Sequence, residues 1–259
     1  MEYSERLPTP LHPPAERTCC SQVDGALSQE AYLTALDSCY AGYRGKVSKK
    51  YQLQLTADSP AFLLFHCPYC KLVQKSVARL RYNDFMAGPE GDSALEAFRN
   101  VSHQDSLTDR DLEKAFVADT KDLFNEKTDV TLNCSRELGN TYTASLWFGL
   151  VSTICNVPDE DLVGQQLLCF SYGSGVAATM FSLHVERSVA TMAQNLNLAE
   201  RLDKCERRRV GPEVGPTAAL ESFLPTGLHG PTYIFCANLT PFLAAAARQI
   251  KTSISLVPV

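Results

Sequence analysis

One stretch constrains this chain more than any other. The apolar run Ala61-Phe62-Leu63-Leu64-Phe65 ends directly in His66, and Cys67-Pro68-Tyr69-Cys70 then leads into Lys71-Leu72-Val73-Gln74-Lys75-Ser76. A short, unbroken apolar run reads as a strand covered on both faces. From Tyr69 onward Leu72, Val73, Val77 and Leu80 recur at helical spacing. Lys71, Lys75 and Arg79 follow at i, i+4 and i+8, so they are expected on one helix face as a cationic stripe. A titratable residue therefore ends a buried strand beside positive charge. Strand ends in α/β folds are where ligands bind, and a cationic face suits a phosphorylated one.

The rest of the chain reads as alternating helices and strands, the pattern of a layered α/β fold. Proline-rich residues 1–24 lack periodicity and are expected to be a disordered lead-in. Ser28 is the expected N-cap of a helix that carries Tyr32, Ala35, Leu36, Cys39 and Tyr43 on one face. Residues 86–105 read as loop-rich. Asp109 is expected to start an amphipathic helix through Leu112, Phe116 and Leu123. Residues 128–133 alternate like a strand, and 141–155 read as a mostly buried helix. Residues 167–172 form the next strand, which Gly173-Ser174-Gly175 turns into 176–185. There is no internal repeat.

Composition narrows the function classes. A net charge of −5 disfavours a general nucleic-acid binder. No apolar stretch is long enough to span a bilayer. The first residues, Met1 to Arg6, carry acid and lack an apolar core, so they do not read as a targeting peptide. The ten cysteines are scattered, and Cys39, Cys155, Cys169 and Cys236 sit in apolar segments where a thiol packs as a small hydrophobe. A reducing, cytoplasmic compartment is expected. His66-Cys67-x-x-Cys70 has no second ligand pair at finger spacing, so no metal is expected.

Two families use sequences of this kind. Cys67-Pro68-Tyr69-Cys70 after an apolar strand resembles the redox motif of glutaredoxins, where an exposed thiol at a helix N-terminus attacks and a second resolves. Glutaredoxins also carry a Thr-Val-Pro loop and a Gly-Gly pair. This chain has only Asn156-Val157-Pro158 and no Gly-Gly. The longer string Phe65-His66-x-Pro68-Tyr69-Cys70-Lys71-Leu72-Val73-Gln74-Lys75-Ser76 instead resembles 3-hydroxy-3-methylglutaryl-CoA synthase. So do Leu138-Gly139-Asn140-Thr141-Tyr142-Thr143-Ala144-Ser145 and Phe170-Ser171-Tyr172-Gly173-Ser174-Gly175-Val176-Ala177-Ala178-Thr179. Segments 27–40 and 109–116 add to the likeness, which runs from about Val23 to about Arg209.

That resemblance implies the C-terminal part of a thiolase-like αβαβα sandwich. It divides the chain into the lead-in 1–24, a synthase C-terminal domain over 25–235 and a divergent tail over 236–259. It implies condensation of acetyl-CoA with acetoacetyl-CoA to 3-hydroxy-3-methylglutaryl-CoA, with CoA thioesters as substrates and no further cofactor. His66 is the implied contact to the acetoacetyl carbonyl, where a positioned donor stabilises a developing alkoxide. Lys71 and Lys75 are the implied CoA contacts. The Asn140 amide and Ser174, flanked by glycines, are implied at the acyl group; a helix cap and a tight turn are the plain structural alternatives.

Cys67 departs from the serine common at its position in the family. The family's nucleophilic cysteine and general-base glutamate belong to segments this sequence does not show, so no condensation is expected from the chain alone. Three readings stay open. The chain is a truncated synthase, cytoplasmic or of mitochondrial origin. It is a non-catalytic CoA-binding module that forms a homodimer or pairs with a full-length synthase. Or it is a dithiol oxidoreductase using Cys67 and Cys70.

Overall fold

The structure, a computed structural model, describes residues 2–4, 24–89, 94–173, 175–205 and 253–257. Strand β1 (Glu2–Ser4) precedes the long helix α1 (Gly25–Tyr51), β2 (Phe62–Phe65) and α2 (Cys70–Ala87). Three short helices follow, α3 (His103–Ser106), α4 (Arg110–Asp119) and α5 (Lys121–Lys127). Next come α6 (Asn133–Leu138), α7 (Ser145–Asn156) and α8 (Asp159–Leu162). Strands β3 (Gln166–Gly173) and β4 (Ala177–Val185) form a hairpin, followed by α9 (Ala190–Leu196), α10 (Leu198–Asp203) and β5 (Ile254–Val257).

The strands make one mixed sheet. β2 runs parallel to β3, with Phe65 opposite Phe170. β3 and β4 pair antiparallel, with Phe170 opposite Met180. β1 and β5 both pair antiparallel with β4, at Ala177–Thr179 and Ser182–Val185 respectively. Strand side chains alternate between faces, and here both faces are covered. Leu63, Phe65, Leu168 and Phe170 pack in one core with Tyr32, Leu36 and Tyr40 of α1 and Leu72, Val73 and Val77 of α2. Leu64, Leu167 and Cys169 face the other core, with Leu146, Leu150 and Ile154 of α7 and Met192 of α9. Double coverage explains why 61–65 shows no polar alternation. It also explains why α7 is apolar nearly all round.

Several expectations change. Asp24, not Ser28, caps α1, accepting from the N–H groups of Ala26 and Leu27 at 3.0 Å each. Asp109 does cap α4, accepting from Asp111 and Leu112. Residues 128–133 are not a strand. Asp129–Leu132 is a 3-10 helix that runs into α6, and the Thr131 hydroxyl donates to Thr128 O at 2.7 Å, a local bond that competes with a ladder. β1 and β5 add strands at both ends of the chain, where no periodicity announced any. Residues 207–209 and 223–233 lie outside the described residues.

The expected cationic stripe on α2 is also incomplete. Arg79 is 5% exposed and faces inward. Its Nε and Nη2 donate to the Asp37 carboxylate on α1 at 2.9 and 2.7 Å. Its Nη1 donates to Ser106 Oγ at 2.9 Å, and its guanidinium lies 4.5 Å from the Tyr82 ring centre. Arginine's fork suits such a buried bidentate pair. The residue at i+8 therefore clamps α1 to α2 and contributes nothing to a ligand surface.

Candidate functional site

The C-terminal ends of β2 and β3 lie side by side, and their last residues build the site. His66 follows β2 and donates its backbone N–H to Phe170 O at 2.7 Å, which carries the parallel pairing one residue past the strand. Its carbonyl accepts from the Tyr32 hydroxyl of α1 at 2.8 Å. The ring is half-buried between two tyrosines, 6.4 Å from the Tyr32 ring and 6.0 Å from that of Tyr172 at the end of β3.

Ser145, the first residue of α7 and 1% exposed, completes the arrangement. Its Oγ accepts from the Cys67 N–H at 3.1 Å and lies 2.8 Å from His66 Nδ1. Burial holds the His66 pKa below its ordinary 6.5, which favours the neutral ring. Ser145 Oγ has a second lone pair and one proton beyond the Cys67 bond, so it either donates to Nδ1 or accepts from it, and in both cases it holds the ring in one orientation. With Ser145 as the donor, the neutral ring carries its proton on Nε2, where it can donate to a carbonyl oxygen and take a proton back in a later step. Ser145 closes the Leu138–Ser145 motif, which by itself assigns it no role. A small hydroxyl residue opening an apolar helix was the available signal.

The depressed pKa has a pH consequence. The unfolded chain protonates His66 near 6.5 and the folded chain resists, so the unfolded state binds more protons as pH falls through that value. The contribution is intact above 6.5 and is lost as pH drops below it. Urea unfolding of His66→Gln should therefore lose less stability between about pH 7 and about pH 5 than the wild type. Parallel pH curves for the two proteins would contradict a buried neutral ring.

The remaining expected site residues are placed unevenly. Lys71 stands exposed on the first turn of α2. Lys75 is engaged, with Nζ 2.8 Å from Glu113 of α4 and 3.1 Å from the Gln29 side chain of α1. Asn140 is exposed, and its Oδ1 accepts from the Tyr142 N–H at 2.8 Å, the local turn bond of the structural alternative. The link from this segment to His66 runs through Ser145. Ser174, between Gly173 and Gly175 in the sequence, lies outside the described residues. After Gly175, Val176 holds φ 55°, a left-handed value that a β-branched residue adopts only under strain of order 1–3 kcal/mol.

With this geometry in place, comparison with known proteins decides the relationship. The family described as "Hydroxymethylglutaryl-coenzyme A synthase C terminal" matches residues 18–221. The chain belongs to this synthase family. The cytoplasmic hydroxymethylglutaryl-CoA synthase of Gallus gallus is 42% identical over 210 residues, covering 74% of this chain and 40% of that protein. Hydroxymethylglutaryl-CoA synthase A of Dictyostelium discoideum is 43% identical over 195 residues, with the same coverage of both. The mitochondrial synthase of Bos taurus is 40% identical. A solved structure of MvaS in complex with 3-hydroxy-3-methylglutaryl coenzyme A superposes with a TM-score of 0.62 at 25% identity, covering 90% of this chain and 51% of that one. The fold is mixed α/β and thiolase-like. The chain spans 40% of the length of the curated relatives from chicken and Dictyostelium.

The synthase relationship also settles the Cys-Pro-Tyr-Cys motif against a glutaredoxin. A glutaredoxin's first thiol must be exposed and readily ionised. Cys67 is 1% exposed, and burial pushes its pKa up to about 12. Side-chain alternation explains the outcome, since His66 takes the site-facing position and Cys67 the packed one. No helix among the described residues is long and apolar enough to cross a membrane.

Proposed function

We propose that this chain is a CoA-thioester-binding segment of a cytoplasmic hydroxymethylglutaryl-CoA synthase, with acetoacetyl-CoA seated at the ends of β2 and β3. The observation that carries the reading is the Ser145–His66 contact of 2.8 Å beside two tyrosine rings. In this account Ser145 donates to Nδ1, which leaves a neutral, oriented Nε2–H for a carbonyl oxygen that gains charge during condensation. Lys71 is the CoA contact in this account. Lys75 serves mainly to tie α2 to α1 and α4, and Asn140 and Ser174 line the acyl group. The binding function belongs to residues 25–235, and the family's dimerisation is part of the same proposal.

In this account no condensation of the two thioesters is expected from the chain alone. An acyl-carrying cysteine needs an ionised thiol, and among the described cysteines burial pushes Cys39, Cys67, Cys134, Cys155 and Cys169 the other way.

Titration with acetoacetyl-CoA separates the two lysines. Lys71→Ala should weaken binding several-fold and leave unfolding within about 0.5 kcal/mol of wild type, as for an exposed side chain. Lys75→Ala should cost up to about 1 kcal/mol of stability through its lost ion pair. Unchanged affinity in Lys71→Ala would return that lysine to an ordinary solvated face.

A further inference from the structure

The two thiols of the Cys-Pro-Tyr-Cys turn remain outside the proposed chemistry, yet they are not independent packing residues. Both are free, Cys67 lies in the core cluster formed with α1 and α2, and Cys70 packs against that same cluster. The two thiols are close enough to interact electrostatically, and Ser135 and Arg136 of α6 offset part of the upward push of burial on Cys67. Cys70 is half-buried and opens α2, an 18-residue helix, whereas Cys67 is almost fully covered. One half-buried thiol thus neighbours one enclosed thiol in the same cluster, the reverse of the order a glutaredoxin needs. The pair also sits on the frame of the site. The Cys67 N–H is a donor to the serine that holds His66, and the Cys67 residue adjoins His66 in the chain.

We infer that Cys67 and Cys70 form a modification site, at which small-molecule disulfides such as oxidised glutathione close a Cys67–Cys70 disulfide that disturbs the His66 site. The site inference rests on where the fold places the two cysteines; its effect on binding rests on the proposed function. Cys70 Sγ, as thiolate, attacks one sulfur of the small disulfide, forming a mixed disulfide and expelling one thiolate. Cys67 Sγ, as thiolate, then attacks Cys70 Sγ, forming the internal bond and expelling the second thiolate. The two protons leave the protein thiols and end on the two released thiols. Two cysteines are oxidised and one disulfide is reduced. The buried Cys67 thiol makes the second step slow near neutrality and faster as pH rises. Closure fixes the two Cβ atoms about 3.8 Å apart, and this constraint falls on the residue whose backbone N–H donates to Ser145, so it disturbs the Cys67–Ser145–His66 chain of contacts.

The full chain is equilibrated in glutathione buffers of graded oxidation, alkylated, and mapped by peptide mass spectrometry. A Cys67–Cys70 disulfide should accumulate in wild type, while Cys67→Ser should stop at a glutathione adduct on Cys70. Acetoacetyl-CoA affinity should fall about tenfold on oxidation, equivalent to about 1.4 kcal/mol, and Cys67→Ser should lose that internal-disulfide effect. A persistent mixed disulfide or a free Cys70 in wild type would overturn the site. A closed disulfide with unchanged affinity would overturn the coupling to His66. If the reduced protein binds no acetoacetyl-CoA, the proposed function fails, while the mass map still decides the site.

Discussion

Asp37→Ala should lower the free energy of unfolding by about 3–5 kcal/mol, the usual cost of removing one partner from a buried ion pair. Asp37 is 6% exposed and accepts from Arg79 Nε and Nη2, from Asn83 Nδ2 at 2.6 Å, and faces His103 Nε2 at 3.0 Å. Without it the Arg79 guanidinium keeps only the neutral oxygens of Ser106 and the Tyr82 ring. A buried charge then lacks its counter-charge, and three donors lose their acceptor. Replacing both partners with apolar residues, Asp37→Leu with Arg79→Met, should recover most of the loss, because desolvation of the charges disappears with them. Urea unfolding followed by circular dichroism measures both. A loss below about 1 kcal/mol for Asp37→Ala would mean that water reaches the pair.

Phe170→Ala should cost a comparable amount, about 3–5 kcal/mol for a large aromatic side chain removed from a core. Phe170 is 1% exposed on β3, 5.3 Å edge-on to Tyr32 and 6.5 Å from Tyr172. Its ring therefore supports the two tyrosines that flank His66, while its carbonyl receives the His66 N–H. Truncation should loosen the site as well as the core. Phe170→Leu keeps most of the volume and should cost less than about 1.5 kcal/mol. Equal losses for alanine and leucine would show that ring stacking, not cavity volume, sets the cost.

These two residues illustrate what the sequence could and could not disclose. Phe170 belongs to a strand whose apolar run was readable, because a strand covered on both faces leaves no polar residue to confuse the period. The pairing of β2 with β3, and with it the convergence of His66 and Tyr172, is a tertiary contact that the two apolar runs do not by themselves specify. Arg79 was misread because helical spacing gives a face but not its environment. The deciding partner, Asp37, is 42 residues away in sequence. Residues 128–133 were misread because alternation of Val130 and Leu132 fits one side of a tight helix as well as a strand. β1 and β5 are short strands made by pairing on β4, a tertiary event without local signature.

The placement of residues at the strand end was legible where it rests on a motif and illegible where it rests on a contact. His66, Cys67 and Lys71 stand where their positions around the strand end imply. Ser145 reaches His66 across 79 residues of sequence, and no spacing rule joins them. Asn140 and Lys75 were expected at the ligand, yet each already holds a bond to a neighbour. In the proposed function Lys71 accordingly carries more of the CoA contact than Lys75.

The most direct test of the account is an isothermal titration of the wild-type chain and of His66→Ala, each with acetoacetyl-CoA and with free CoA. Thermal unfolding should first confirm that both variants are folded. The wild type is expected to bind acetoacetyl-CoA, His66→Ala is expected to bind it about tenfold more weakly, and the two should bind free CoA alike. Equal acetoacetyl-CoA affinities for the two folded proteins would contradict the assignment of His66 to the acyl carbonyl.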